Sequence, residues 1–96
     1  MARANVARSP SSHDLIFSDQ VWEDFQYWQE TDKKMVRRIH ELLKDIKRNP
    51  HSGIGKPEPL RHALAGYWSR RIDQEHRLVY RATEQGIMLA QMRYHY

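Results

Sequence analysis

Apolar residues recur at the spacing of an amphipathic helix in the segment that follows residue 18. Val21, Phe25 and Trp28 fall at positions i, i+4 and i+7, which makes one apolar face on a helix. Trp22 lies beside this face, and we expect it to be part of the core as well. The pattern predicts a first helix from about Asp19 to Glu30.

A second amphipathic stretch follows almost directly. Thr31-Asp32 interrupts the apolar pattern and can cap the helix that comes next. That helix is predicted to end near Asn49-Pro50, because the residue before a proline is disfavoured in the helical conformation. Its apolar face comprises Met35, Ile39, Leu42, Leu43 and Ile46. Two helices separated by one or two residues are expected to form a hairpin.

The remaining pattern is typical of strands separated by short turns. Leu15-Ile16-Phe17 is a short apolar run that predicts a first strand ahead of the helices. The last third of the chain predicts three strands, at residues 67–72, 76–81 and 87–94, and residues 60–64 predict another short one. The order β-α-α-β-β-β predicts an α+β fold, in which a small antiparallel or mixed β-sheet carries the N-terminal helical hairpin on one face. The other face would stay open to a substrate.

Two segments of the chain show no regular apolar pattern. Residues 1–13 are rich in Ser, Ala and Arg, and we expect a flexible N-terminal tail followed by a single domain over residues 14–96. Residues 50–59 hold three of the four Pro and predict a loop between the helical half and the strand half. No apolar run approaches the roughly 20 residues of a membrane span, and the N-terminus lacks the apolar region of a secretory signal. We therefore expect a cytoplasmic protein with no membrane contact.

Positive charge is concentrated in the second half of the chain. The 96 residues carry a net charge of +4 with His neutral. Residues 50–96 hold seven basic and four acidic residues, together with four of the six His. This distribution favours contact between that half and a polyanion such as a nucleic acid, although a solubilising surface charge is the plainer alternative. The sequence contains no Cys, which excludes disulfides, Cys zinc sites and thiol chemistry.

Alternation along the strand that contains Arg77 predicts which basic side chains face the open side of the sheet. Leu78 and Tyr80 are expected to face the helices, which leaves Arg77 on the open side. Arg70 and Arg71 point to opposite faces, so one of them would join it. A strand arginine is usually no more than a solvated charge, so each of these signals is weak by itself.

Histidines offer a further candidate for chemistry. His95 follows the last predicted strand, and histidine is the natural proton donor near neutral pH. His76 and His95 are not at a recognised metal-ligand spacing, and the sequence contains neither an HExxH motif nor a phosphate-binding glycine loop. No metal ion and no other cofactor is therefore expected.

Five blocks of sequence together resemble a known family. They are YWQETDK at 27–33, GKPEPL at 55–60, WSRRI at 68–72, EHRLVY at 75–80 and RYHY at 93–96. In this order and at nearly this spacing, the blocks resemble the YoeB toxins of the RelE/ParE superfamily. The resemblance covers about residues 15–96, and the N-terminal tail departs from the family pattern.

The resemblance implies a RelE-like, microbial ribonuclease-like fold and the toxin of a type II toxin–antitoxin system. Such a toxin is a ribosome-dependent mRNA endonuclease, or mRNA interferase, which cuts codons in the A site and inhibits translation. A YefM-type antitoxin would neutralise it, and operator DNA would be contacted only through the antitoxin complex. The resemblance also leaves room for a homodimer.

The catalytic positions of the family fall on residues that are present in this chain. By resemblance, Glu58 is the general base, Arg77 binds the scissile phosphate and His95 is the general acid, with Tyr96 beside it. The candidate RNA-binding residues are Lys56, Arg61, Arg71, Arg93 and Tyr94. For Tyr94, stacking on a base and packing in the core are both open alternatives.

These residue types suit RNA cleavage without a metal ion. RNA carries its own nucleophile, the 2′-OH, so an enzyme must remove that proton, stabilise charge on the phosphate and protonate the leaving 5′ oxygen. A carboxylate, an arginine and a histidine cover the three tasks. Two other classes stay open: a non-catalytic nucleic-acid-binding co-repressor that acts with its antitoxin, and an interaction module whose open sheet face holds an acidic peptide.

Overall fold

The computed structural model describes residues 13–94 of the chain. Residues 1–12, which make up almost all of the predicted tail, lie outside the described residues, and so do His95 and Tyr96. In chain order the elements are β1 (Leu15–Phe17), α1 (Asp19–Thr31), α2 (Lys33–Arg48), β2 (Glu58–Pro59), a 3₁₀ helix (His62–Leu64), β3 (Trp68–Arg71), β4 (Arg77–Thr83) and β5 (Gly86–Gln91).

The five strands form one mixed sheet in the order β1-β5-β4-β3-β2. Strand β1 pairs in parallel with β5, and the other three pairs are antiparallel. The helices pack on one face of this sheet, since the core joins apolar side chains of α1 and α2 to those of β4 and β5. The predicted α+β fold with an N-terminal helical hairpin is confirmed.

The short strand predicted at residues 60–64 is wrong. The edge strand β2 comes earlier, at Glu58–Pro59, and residues 62–64 form a 3₁₀ helix. His62 has a φ of 58°, in the left-handed region, where an extended strand cannot continue. Leu60 still donates its N–H to the carbonyl of Tyr67, so the chain leaves the sheet directly after that bond.

Polar caps fix where the two helices begin. The Ser18 hydroxyl accepts a hydrogen bond from the Val21 N–H at 3.1 Å and caps α1. The Asp32 carboxylate accepts from the N–H groups of Lys34 (3.0 Å) and Met35 (3.3 Å) and caps α2. A single residue thus separates the helices, and the interruption predicted at Thr31-Asp32 is confirmed.

The core contains the apolar stripe of α2 but only part of the predicted stripe of α1. Val21 and Trp28 are buried, and Phe25 is half-buried against the same cluster. Trp22 is 53% exposed, so its predicted place in the core is wrong. It directly follows Val21, and the helix turns by about 100° per residue, which carries its side chain away from the sheet.

Candidate active site on the open face of the sheet

Strand register brings Glu58, Arg71 and Arg77 to one face of the sheet. Arg71 and Arg77 are direct cross-strand partners in the antiparallel pair of β3 and β4, and such partners share a face. Glu58 is the partner of Ser69, which lies two residues before Arg71 and therefore on the same face. Tyr80 points the other way, into the core beneath the helices. The three candidate residues thus share the face that the helices leave uncovered.

We call this surface the open face. Its exposed side chains include Glu58, Arg71, Arg81 and Met88, and Arg77 is half-buried on it. Glu58 lies on β2, two strands away from β4, and is in register with Val79, which is two residues from Arg77. The α-carbons of Glu58 and Arg77 are therefore roughly 12 Å apart at standard sheet spacing.

Carbonyl oxygens at the turn between β3 and β4 hold the Arg77 guanidinium. Its Nη1 donates to the carbonyls of Asp73 (2.9 Å), Gln74 (3.2 Å) and His76 (3.2 Å). Among the described residues these bonds engage only that nitrogen, so Nε and Nη2 remain as a pair of parallel donors. This is the arrangement with which an arginine binds two phosphate oxygens at once.

Of the two neighbouring arginines on β3, Arg71 is the one that reaches the open face. Arg70 is fully buried, and its Nη1 lies 2.5 Å from Oδ2 of Asp45. Its Nε donates to the Tyr80 hydroxyl at 3.0 Å. The remaining bonds of its guanidinium go to the carbonyls of Asn49, Ser52 and Ile54. Arg70 therefore fixes the loop between α2 and β2, which leads to Glu58.

Two pKa shifts accompany this buried network. The hydrogen bond from Arg70 lowers the pKa of Asp45 below its ordinary value of 3.8, and the N–H of Ile54 adds to the effect. Burial raises the pKa of Tyr80 above its usual 10.0. Both shifts favour the states that the network requires, a charged carboxylate and a neutral hydroxyl.

Lys56 and Arg61 flank Glu58 along the chain, and both are exposed. Residues 58–64 line a shallow depression of about 750 Å³, so Glu58 and Arg61 share one cleft. Lys56 has a φ of 53° and lies at the turn that leads into β2. Arg61 thus lines the same depression as the candidate general base, and Lys56 precedes that residue by two positions in the chain.

Arg93 and Tyr94 follow the end of β5, and Tyr94 lies beside the start of β4. The Arg93 guanidinium lies 3.6 Å from the ring centroid of Tyr27 on α1, so it is not grouped with Glu58 on the open face. Tyr94 is 54% exposed, which excludes the core alternative for its side chain. Its carbonyl accepts a hydrogen bond from the Arg77 N–H at 3.1 Å. The chain therefore reaches Tyr94 directly beside the candidate phosphate-binding arginine. His95 and Tyr96 lie outside the described residues.

A set of residues that the sequence did not single out holds the segment 92–94. The Trp28 indole N–H donates to the Met92 carbonyl at 2.9 Å, and buried Asp24 accepts from the Met92 N–H at 2.8 Å. Nδ1 of His76 accepts from the Tyr94 N–H at 2.7 Å. The one available signal was Trp28, because a buried indole N–H needs a hydrogen-bond partner.

Two negative findings concern the described residues. Within residues 13–94, no group of three or more His, Asp or Glu side chains is arranged to hold a metal ion. Over the same range, neither helix has the length and apolar character needed to cross a lipid bilayer.

Comparison with known proteins places these features in a family context. Residues 17–96 match the family model described as YoeB-like toxin of bacterial type II toxin–antitoxin system. The chain is 57% identical over 82 residues to Toxin YoeB of Escherichia coli (strain K12), which covers 85% of this chain and 98% of the relative.

Solved structures agree with this match. A YoeB dimer from Staphylococcus aureus superposes with a TM-score of 0.82 at 52% identity, over 90% of this chain and 100% of the other. A YoeB–YefM complex from Staphylococcus aureus gives a TM-score of 0.80 at 52% identity, over 88% of this chain and 98% of the other.

Proposed function

Because the chain belongs to the YoeB-like toxin family of bacterial type II toxin–antitoxin systems, we propose that it is a ribosome-dependent mRNA endonuclease. It cuts the messenger RNA codon in the A site of the ribosome and so inhibits translation in the cytoplasm. The 2′-OH attacks the neighbouring phosphate, a 2′,3′-cyclic phosphate forms, and the 5′ oxygen leaves. This chemistry needs acid, base and charge stabilisation, and no metal ion.

The observation that carries the proposal is the shared position of a carboxylate and two arginines on the open face. Glu58 accepts the proton of the 2′-OH. Arg77 donates through Nε and Nη2 to the phosphate oxygens, where negative charge develops in the transition state. Arg71 is the cross-strand partner of Arg77 and adds positive charge for the same phosphate or the next one.

His95 protonates the leaving 5′ oxygen, and Tyr96 assists beside it. The support for these roles is the position of Tyr94, whose carbonyl is bonded to the backbone N–H of Arg77. His95 follows Tyr94 directly in the chain. Lys56 and Arg61 bind the RNA backbone near Glu58, and Arg93 binds it away from the open face, beside Tyr27. The exposed ring of Tyr94 stacks on a base.

The partners of the toxin follow from the same family. We propose that a YefM-type antitoxin neutralises this chain, as the Staphylococcus aureus complex suggests by similarity. An acidic segment of the antitoxin would compete with RNA for the basic open face. Contact with operator DNA occurs only through that complex, and the free toxin forms a homodimer like its Staphylococcus aureus relative.

The experiment that tests this proposal maps mRNA 5′ ends in a translation extract. Wild-type protein should produce new ends inside codons that occupy the A site. Glu58→Ala, Arg77→Ala and His95→Ala should each suppress them, since an acid or base step contributes roughly 100–10,000-fold. Matched controls are Glu84→Ala in the turn after β4 and Arg37→Ala on α2, both exposed and outside the site.

Retained cleavage in all three site variants would reject the assignment. The co-repressor alternative predicts a different pattern. In that case wild-type protein would bind operator DNA together with its antitoxin but produce no new mRNA ends, and His95→Ala would change nothing.

A further inference from the structure

The backbone of Tyr94 is held on both sides by two consecutive residues at the start of β4. Its N–H donates to Nδ1 of His76 at 2.7 Å, and its carbonyl accepts from the N–H of Arg77 at 3.1 Å. Tyr94 has a φ of 62°, in the left-handed region. A residue with a side chain stays in this conformation only where its surroundings hold it there.

His76 is built into the fold so that one ring nitrogen must accept. The residue is 9% exposed, and its ring packs edge-on against Trp28 at a centroid distance of 4.8 Å. Because a backbone N–H can only donate, Nδ1 must be the unprotonated nitrogen, and the proton of the neutral ring lies on Nε2. Oε1 of Glu75 lies 3.5 Å from Nε2 and favours that tautomer.

The chain two residues before Tyr94 is also held in place, by separate groups. Asp24 and Trp28 on α1 hold both the N–H and the carbonyl of Met92. The segment 92–94 is thus anchored at Met92 by α1 and at Tyr94 by His76. At Tyr94, His76 is the group that holds the backbone N–H, whereas the N–H of Arg77 and Nε2 of Gln91 hold the carbonyl.

We propose that His76 is a positioning residue for RNA cleavage. Its Nδ1 fixes the backbone of Tyr94, the residue that precedes His95 in the chain. The inference rests on the proposed function, in which His95 is the general acid. His76 itself does not touch the RNA; it acts through Tyr94. A misplacement of a catalytic group by 1 Å can cost about 100-fold in rate.

Two substitutions separate the hydrogen bond from the packing. His76→Asn keeps an acceptor, since Oδ1 of asparagine is as many bonds from Cβ as Nδ1 of histidine, but it loses most of the contact with Trp28. His76→Phe keeps a ring against Trp28 and removes the acceptor. We expect His76→Asn to cleave mRNA at close to the wild-type rate and His76→Phe to cleave about 100-fold more slowly. Ribosome binding should be equal in all three proteins.

The reverse order, with His76→Phe active and His76→Asn impaired, would show that His76 only packs against Trp28 and would overturn the proposal. Equal cleavage by His76→Phe and wild type would overturn it too, while the endonuclease assignment would stand. Absence of cleavage by wild type would instead reject the proposed function.

A second measurement reports on the hydrogen bond without any cleavage assay. Amide hydrogen exchange of Tyr94, followed by NMR on the free protein, should be slow in wild type and His76→Asn and fast in His76→Phe. Fast exchange in the wild type would refute the proposed anchoring, and this result does not depend on whether His76→Phe folds. Exchange at Ile87, whose N–H bonds to the Asp14 carbonyl, is the internal reference.

Discussion

Replacement of Arg70 by methionine should destabilise the fold far more than the same replacement at Arg71. The two residues are adjacent on β3 and chemically identical, but Arg70 is fully buried whereas Arg71 is exposed. Methionine retains an unbranched apolar side chain and removes the guanidinium. The difference between the two losses therefore measures how much the buried, paired guanidinium contributes to the free energy of unfolding.

The structure sets the magnitude of the expected loss. Removal of one partner of a buried ion pair typically costs about 3–5 kcal/mol, because the other charge is left without compensation. The Asp45 side chain is 24% exposed, so water can reach the stranded carboxylate, and we expect the lower end, about 3 kcal/mol. For a domain of this size each kcal/mol lowers Tm by about 4–8 °C, which gives a decrease of about 12–24 °C. Arg71→Met should change stability by no more than about 0.5 kcal/mol.

Urea denaturation at neutral pH, with Cm compared at constant m, measures both changes, and thermal circular dichroism provides Tm. A loss below about 1 kcal/mol for Arg70→Met would refute the reasoning, since it is smaller than the usual cost of one stranded buried charge. Equal losses at Arg70 and Arg71 would refute it as well. Under the proposed function, Arg71→Met should show the opposite profile, with normal stability and weakened mRNA cleavage.

Three further predictions concern the same loop and its anchors. Because the folded pKa of Asp45 is lowered, its contribution to stability is complete above pH 3.8 and is lost as the pH falls further; the stability gap between wild type and Asp45→Asn should therefore shrink below pH 3.8, and a gap independent of pH would contradict this. Gly53→Ala should lower the free energy of unfolding, measured by urea denaturation, more than Gly66→Ala does. Both glycines have a positive φ, but only the new Cβ at Gly53 meets the Asp45 carboxylate; equal losses of stability would argue against the steric reason. Tyr80→Phe should lower the free energy of unfolding by about 1–3 kcal/mol and remove from an absorbance titration a tyrosine whose pKa burial raises above 10.0; an unchanged titration curve would contradict the burial argument.

The helices and most strands could be predicted from the sequence because their patterns are local. The stripe of α2 from Met35 to Ile46 repeats at helical spacing and is buried as expected. The prediction failed where the conformation depends on a single backbone angle, as at His62, whose left-handed φ ends the edge strand. It also failed for Trp22, because hydrophobicity alone does not tell on which side of a helix a residue lies.

In the candidate site, too, local patterns predicted some residues, while long-range contacts decided others. Alternation predicted that Arg77 faces away from the helices, and residue types with the family resemblance identified Glu58. The pattern could not decide between Arg70 and Arg71, because that choice depends on Asp45, which lies 25 residues away in the chain. The anchoring of Met92 by Asp24 spans 68 residues, and no local pattern encodes such a contact.

The pairing of the first strand with the last has a consequence for how the domain folds. Leu15 on β1 is the register partner of Ile87 on β5, so residues 16–86, about three quarters of the 96-residue chain, lie between two partners in neighbouring strands. Pairing across such a separation carries a large loop-closure entropy and slows folding. The helical hairpin and the β4–β5 hairpin can form early from local contacts, whereas the pairing of β1 with β5 must wait for the longer loop to close. Cleavage of the backbone between the two strands would therefore convert an intramolecular encounter into one that depends on protein concentration.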